Sequence, residues 1–250
     1  MRSAYHDVDG PRPSAGRWSL VVGISIGLLT WSLLASGLAS AQVIPISSCP
    51  VVISQPGIYA VTQNLTCPTP AWAITINASA VTLNLGGHTI SGGTSHGIVV
   101  GPVSGVVISD GTIAGFGGYG LALDRTTNGT VARLVVTQIG SIGIVASGAH
   151  NVTISASAVT GPTYGGIVLA NGASQVTISQ NAVTNTRGYG GIVVADSTNN
   201  VIASNTATGN IGVTQTGDIA LDLYDSSATC DANTWLFNSF SAAVPPSCIH

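Results

Sequence analysis

Apolar and polar positions recur along this chain in a fixed order, and the order repeats about every two dozen residues. One phrase is a small or acidic residue followed by aliphatic ones: Gly97-Ile-Val-Val, Gly120-Leu-Ala-Leu, Gly143-Ile-Val-Ala, Gly166-Ile-Val-Leu, Gly191-Ile-Val-Val and Asp218-Ile-Ala-Leu. Its starts advance along the chain by a nearly constant step, which lengthens slightly over the last two copies. A second phrase alternates apolar with polar residues at Val81-Thr-Leu-Asn-Leu, Val106-Val-Ile-Ser, Val152-Thr-Ile-Ser, Val176-Thr-Ile-Ser and Val201-Ile-Ala-Ser. A third short element carries Ile90, Ile113, Val136, Val159 and Val183. Alternation over so few residues marks half-buried strands, and the intervening Gly, Asn, Ser and Thr form turns. Each period therefore holds three short strands and no crossover helix.

Strands this short cannot pair as hairpins within one period without wasting their inward side chains. They can pair with the equivalent strand one period later, at a spacing of about 4.8 Å, over a core of stacked Val, Ile, Leu and Ala. The fold class expected is all-β, a single-stranded right-handed parallel β-helix, a solenoid whose coils each take roughly two dozen residues. A β-sandwich is the rival, but it does not explain like phrases at a constant step.

Residues 1–41 stand apart from this pattern. Arg2, Arg12 and Arg17 precede an apolar stretch from Trp18 to Leu38 that ends in Ala39-Ser40-Ala41. This reads as a secretory signal cleaved after Ala41, with an uncleaved membrane anchor as the alternative. The chain from Gln42 onward has the length of one domain, with no Lys and no Glu. Its three Arg and seven Asp give a net charge of 3 − 7 = −4, which argues against nucleic acid as a partner.

All four cysteines flank the repeats. Cys49 and Cys67 precede them, Cys230 and Cys248 follow, and the two pairs have the same separation (67 − 49 = 248 − 230 = 18). Export and an even count imply disulfides, and Cys49 with Cys67 and Cys230 with Cys248 is the expected pairing because the array holds the two ends apart. A zinc site lacks the usual Cys-x-x-Cys spacing. Residues 42–72 read as an N-terminal cap, 73–229 as coils and 230–250 as a C-terminal cap, where Trp235, Phe237 and Phe240 offer bulk to plug the core.

The run from Val81 through Gly86-Gly-His88-Thr-Ile to Gly92, the coils at Asn181–Asn185 and Asn205–Asn210, and the closing segment from Asn233 to Phe240 resemble bacterial right-handed parallel β-helix repeat proteins. These belong to the pectin-lyase-like superfamily and include the NosD-type repeats. The resemblance covers roughly Val51 to Ile249 and implies the fold, while the superfamily includes lyases, hydrolases, epimerases and adhesins. The copper associated with NosD-like proteins is not carried over, since Met1 is the only Met and no His-x-His occurs in the mature chain.

Few residues offer chemistry. An offset of one period (133 − 110 = 23) makes Asp110 and Arg133 vertical neighbours, a salt bridge between coils or, in a groove, a grip for a carboxylate. Tyr119, Tyr164 and Tyr189 fall just before Gly-Ile-Val phrases and could present flat faces to sugar rings, with Arg187 in the same turn as Tyr189. The weak catalytic candidates are Arg187, Asp218, Asp222 and Asp225. Calcium would need converging carboxylates, and Asp196, Asp222 and Asp225 are the only cluster for it, at mismatched offsets. No metal site and no cofactor is therefore expected. Pectinase-like hydrolysis would need a close acid pair that this chain lacks, and Asp222 and Asp225 read better as turn caps. His88 reads as a structural turn residue, and His96 and His150 as isolated in turns.

The function expected is an exported scaffold that binds a polysaccharide or cell-surface glycan without an assembled catalytic set, and with no membrane contact after signal cleavage. The alternative is a lyase or epimerase on an acidic, uronate-containing glycan, with Arg187 or Arg133 on the uronate. Thr ladders raise a minor ice-binding reading, for which Thr153 and Thr177 are the clear adjacent pair.

Overall fold

The computed structural model describes residues 42–67, 72–214, 217–227, 229 and 232–249. The expected signal segment, residues 1–41, and Cys230 lie outside the described residues. The remainder winds as a right-handed parallel β-helix of about eight turns.

Three strand columns build it, and each is set by one aliphatic ladder. The first stacks Leu83, Ile108, Val131, Ile154, Ile178, Ile202 and Trp235. The second stacks Ile90, Ile113, Val136, Val159, Val183, Ala207 and Phe240. A separate nine-stranded sheet stacks Ile74, Ile98, Leu121, Ile144, Ile167, Ile192 and Leu223. All these ladders belong to the buried core, except that Phe240 packs against it half-buried. Burial of stacked branched side chains, not local propensity, fixes the register, because a slip of one residue would turn every one of them to solvent.

Corners are made by single residues in the left-handed region. Asp110, Arg133, Ala156, Gln180, Ser204 and Phe237, with φ between 49° and 65°, form one such column between the first and second strands. The glycines of the Gly-Ile-Val phrases answer a different need, close approach. A Cβ on Gly166 would collide with Val183 Cγ1 and with the Gly191 carbonyl oxygen of the next coil.

Two phrases fall in a different register from the one the sequence suggests. Val201 pairs with Thr177, so Asn200 occupies the place of Val176. The sixth copy of the Gly-Ile-Val phrase is not Asp218-Ile-Ala-Leu. Leu223 is the residue that stacks on Ile192, so this coil is longer than any before it. The extra length is an antiparallel hairpin, Ile211–Thr214 with Gly217–Ala220, which alternates as a coil strand does but leaves Ile219 42% exposed.

Several Asn residues of the turns point inward and are buried. Asn181, Asn205 and Asn238 form one stack, in which each side-chain oxygen accepts the backbone N–H of the residue one coil earlier and each Nδ2 donates to a carbonyl: Ile154, Ile178 and Ile202 in turn, at 2.8–3.0 Å. Asn200 with Asn233, and Asn210 with Asp222, repeat the arrangement at two other bends. Among the described residues no buried side-chain nitrogen or oxygen lacks a partner, which is the condition for keeping amides in an apolar coil.

Both ends continue the winding. Val43–Ile46 and Val51–Ile53 already pair as rungs with Gly57–Val61 and Ile74–Ile76, and Cys49 and Cys67 are disulfide-bonded. Cys248 is also disulfide-bonded. At the other end Trp235 is buried, whereas Phe237, expected in the plug, is 85% exposed because it occupies the left-handed corner.

Candidate functional site

The nine-stranded sheet has an unusual outer face. Its outward column reads Val99, Ala122, Val145, Val168, Val193 and Tyr224, where alternation ordinarily places polar residues. Val145, Val168 and Val193 point away from the coil interior yet are at most 8% exposed, and they form a second apolar cluster separate from the core. They are the floor of a groove of about 820 Å³.

One wall is a column in which successive coils contribute Trp72, His96, Tyr119 and Ile142, each two residues before the ladder residue of the sheet, Ile74, Ile98, Leu121 and Ile144. His96 and Tyr119 stack with ring centroids 4.7 Å apart at 15°, and Trp72 leans on His96 at 5.9 Å. The Tyr119 N–H donates to His96 Nδ1 at 2.7 Å, which leaves the ring proton on Nε2. Burial pushes the His96 pKa down. Gly118 is required beside it, since a Cβ there would collide with His96 Nδ1. His96 is thus the centre of an aromatic stack and not an isolated turn residue. The signal was an aromatic or aliphatic residue two positions before each inward aliphatic of the sheet, at steps of 24, 23 and 23 (96 − 72, 119 − 96, 142 − 119).

Farther along, the hairpin rises beside the sheet and contributes Val213 and Ile219, with Leu221 just after it. It is tied on through Arg187–Gly188, which pairs with Ile211–Gly212, and through an Arg187 to Asp218 ion pair at 2.5 Å. The opposite rim is polar, with Asp124, Ser147, Asn171 and Ser226. Asn171 Nδ2 donates to Ser147 Oγ at 2.8 Å, and Arg125 pairs with Asp124 at 2.9 Å.

The structure brings some sequence candidates together and separates others. Tyr119 and Tyr189 line the groove. Tyr164 and Tyr189, both more than half exposed, face each other at 6.3 Å, one position earlier in the coil than Tyr119, so the three tyrosines do not share one column. Arg187 and Asp218 stand on the hairpin side, paired to each other. Arg133 is elsewhere, in the corner between the first two strand columns, with Nε and Nη2 on the two Asp110 oxygens at 2.5 and 2.8 Å. The Arg133 hydrogen bond holds the Asp110 carboxyl down at about 2.

Asp222 and Asp225 face inward and are 1% and 2% exposed. Asp222 accepts from the Asn210 N–H and Nδ2 and from the Ser241 and Ala242 N–H groups. Asp225 accepts from Ser227 N–H, Asn233 Nδ2 and Trp235 Nε1. Their placement is that of anchors for the last coils. Among the described residues no three His, Cys, Asp or Glu side chains gather at one point. His88 closes a corner with its N–H on the Leu85 carbonyl, and His150 Nδ1 meets Ser174 Oγ at 3.1 Å.

The hydroxyl ladders are longer than the pair read from sequence. Thr130 stacks on Thr153 and Thr177, and on the second column Thr137, Thr160, Thr184 and Thr208 form an unbroken row.

A family model described as right handed beta helix region matches residues 72–234. No curated protein sequence matches the chain. Among solved structures, a Dettilon tailspike protein is similar with a TM-score of 0.50 and 14% identity, over 80% of this chain and 54% of its own. Tailspike protein 2 of an Escherichia coli O157:H7 bacteriophage gives 0.41 and 11%, covering 76% of this chain and 37% of that one. The A-module of an Azotobacter vinelandii mannuronan C-5 epimerase gives 0.38 and 11%, covering 80% and 86%. At such identities the likeness is one of fold. The chain spans about half the length of the first tailspike.

Proposed function

Because this chain belongs to the right-handed β-helix family, we propose that it is an exported scaffold that binds a polysaccharide or cell-surface glycan along the groove of its nine-stranded sheet. The observation that carries this reading is the wall of Trp72, His96 and Tyr119, stacked on three successive coils, with Tyr189 of the neighbouring column lining the same groove farther along. Rings stacked on one another offer their edges, with ring N–H and phenol groups, to a groove that runs along the stack, and a wall repeating with each coil suits a ligand that itself repeats. Disulfides at Cys49–Cys67 and Cys248 fit an oxidising compartment and support export.

Binding without transformation is the better supported form. A lyase or epimerase needs a free cation for the uronate and an acid or base facing the same sugar. Arg187 and Asp218 are engaged with each other, and Asp222 and Asp225 are buried under four and three hydrogen bonds. A glycan array probed with the full chain tests the reading. Binding to at least one glycan, weakened in Tyr119→Ala, is the expected result, and an array with no signal would defeat it.

A further inference from the structure

The chemistry of the groove also points to a class of glycan, an inference that rests on the binding proposed above. Among the described residues, Asp124 is the only formally charged side chain in the lining, and Arg125 neutralises it at 2.9 Å. His96 accepts a backbone N–H through Nδ1 and so faces the groove as a neutral ring. No cation among the described lining residues is there to hold a carboxylate. The complementary ligand is uncharged.

The wall adds only the ring N–H and phenol groups of its aromatics, Tyr224 follows Val193 in the floor column, and the Ser, Asn and Asp side chains of the lining lie on one rim. Ser147, Asn171 and Ser226 can meet hydroxyls there, while the floor is Val145, Val168 and Val193. A sugar laid over that floor with a hydroxymethyl group facing down would lose a hydrogen bond to water and gain none. A methyl group at the same place loses nothing and buries apolar area. The column that begins with Trp72 adds a second feature. After Ile142 it continues as Gly165 and Gly190 before Leu221, so two successive coils present no side chain beside Val168 and Val193. Tyr189 and Ile219, joined across Gly212 on the hairpin side, line the groove with that stretch.

We infer that the groove selects a neutral glycan whose units carry methyl groups, as 6-deoxy or O-acetyl substituents, turned toward Val168 and Val193. The acidic, uronate-containing glycans considered from sequence are then poor ligands.

Isothermal titration of the full chain with matched oligosaccharides tests this, using a 6-deoxyhexose oligomer, its hexose counterpart bearing the hydroxymethyl group, and oligogalacturonate. The expected result is that the 6-deoxy ligand binds at least about fourfold more tightly than its counterpart, the effect of one buried methyl group, and that oligogalacturonate binds most weakly. Val168→Thr, nearly the same in shape and outward-facing, should erase the preference, and Val193→Thr serves as a second variant should the first melt early. Equal affinity for the matched pair, or tighter binding of oligogalacturonate, overturns the inference while leaving glycan binding in place. Failure to bind any of these ligands, together with a blank glycan array, overturns the binding reading and the inference with it.

Discussion

Two outer faces of the same coil carry opposite chemistry. Over the second strand column, Thr137, Thr160, Thr184 and Thr208 stack in a hydroxyl row, with Thr160 and Thr184 oxygens 3.3 Å apart. Over the nine-stranded sheet the equivalent row is Val99, Ala122, Val145, Val168 and Val193. The inward rows of both are aliphatic and equally buried, so the difference owes nothing to the core. An exposed Thr row is what alternation gives a strand with one wet face. A Val row under a hairpin and a stack of aromatic rings departs from that pattern, and this departure is the ground for placing the proposed binding on this side of the solenoid.

The largest perturbation strikes the support of that side. Asp222 ties Asn210 to the last coil and holds the chain just after the hairpin, so Asp222→Ala removes the acceptor of four hydrogen bonds from a buried site. Loss of about 3 kcal/mol or more is expected, read as a drop in thermal midpoint of roughly 10 °C by calorimetry. Tyr119→Ala should then weaken glycan binding about tenfold, or roughly 1.4 kcal/mol, with the melting temperature nearly unchanged; titration and melting together check it.

A smaller effect comes from pH. The His96 pKa is lowered in the folded chain, so between its unfolded value near 6.5 and the folded one the unfolded state binds the extra proton. Stability contributed by the neutral ring is complete above about pH 7 and declines as pH falls through 6.5. Melting curves from pH 8 to 5 should show a decline that is shallower in His96→Gln. The smallest effect expected is none: Thr160→Val with Thr184→Val alters the hydroxyl row and should leave glycan affinity within twofold.

Much of this was legible in the sequence because stacking translates directly into period. Ile98, Leu121, Ile144, Ile167 and Ile192 recur once per repeat of the phrase and proved to be one ladder. The Asp110 and Arg133 contact followed from the same arithmetic. The sixth phrase misled because Asp218-Ile-Ala alternates as a coil strand does, and only pairing shows that it folds back on Ile211–Thr214. Asn200 and Asp222 were obscured for another reason: buried polar residues at bends look like turn formers, and their inward direction depends on partners one coil away. The groove was half visible. Tyr119 and Tyr189 were singled out, but the aliphatic floor looked like core because Ile-Val-Val does not say which valine faces out.

The claim that the aliphatic face, and not the hydroxyl face, is the binding surface can be tested by placing the same charge on each. Isothermal titration with a glycan bound by the native chain should show Val168→Glu losing affinity by more than about a hundredfold, while Thr160→Glu stays within twofold of the native value. Equal losses in the two variants, or a loss confined to Thr160→Glu, would contradict the account.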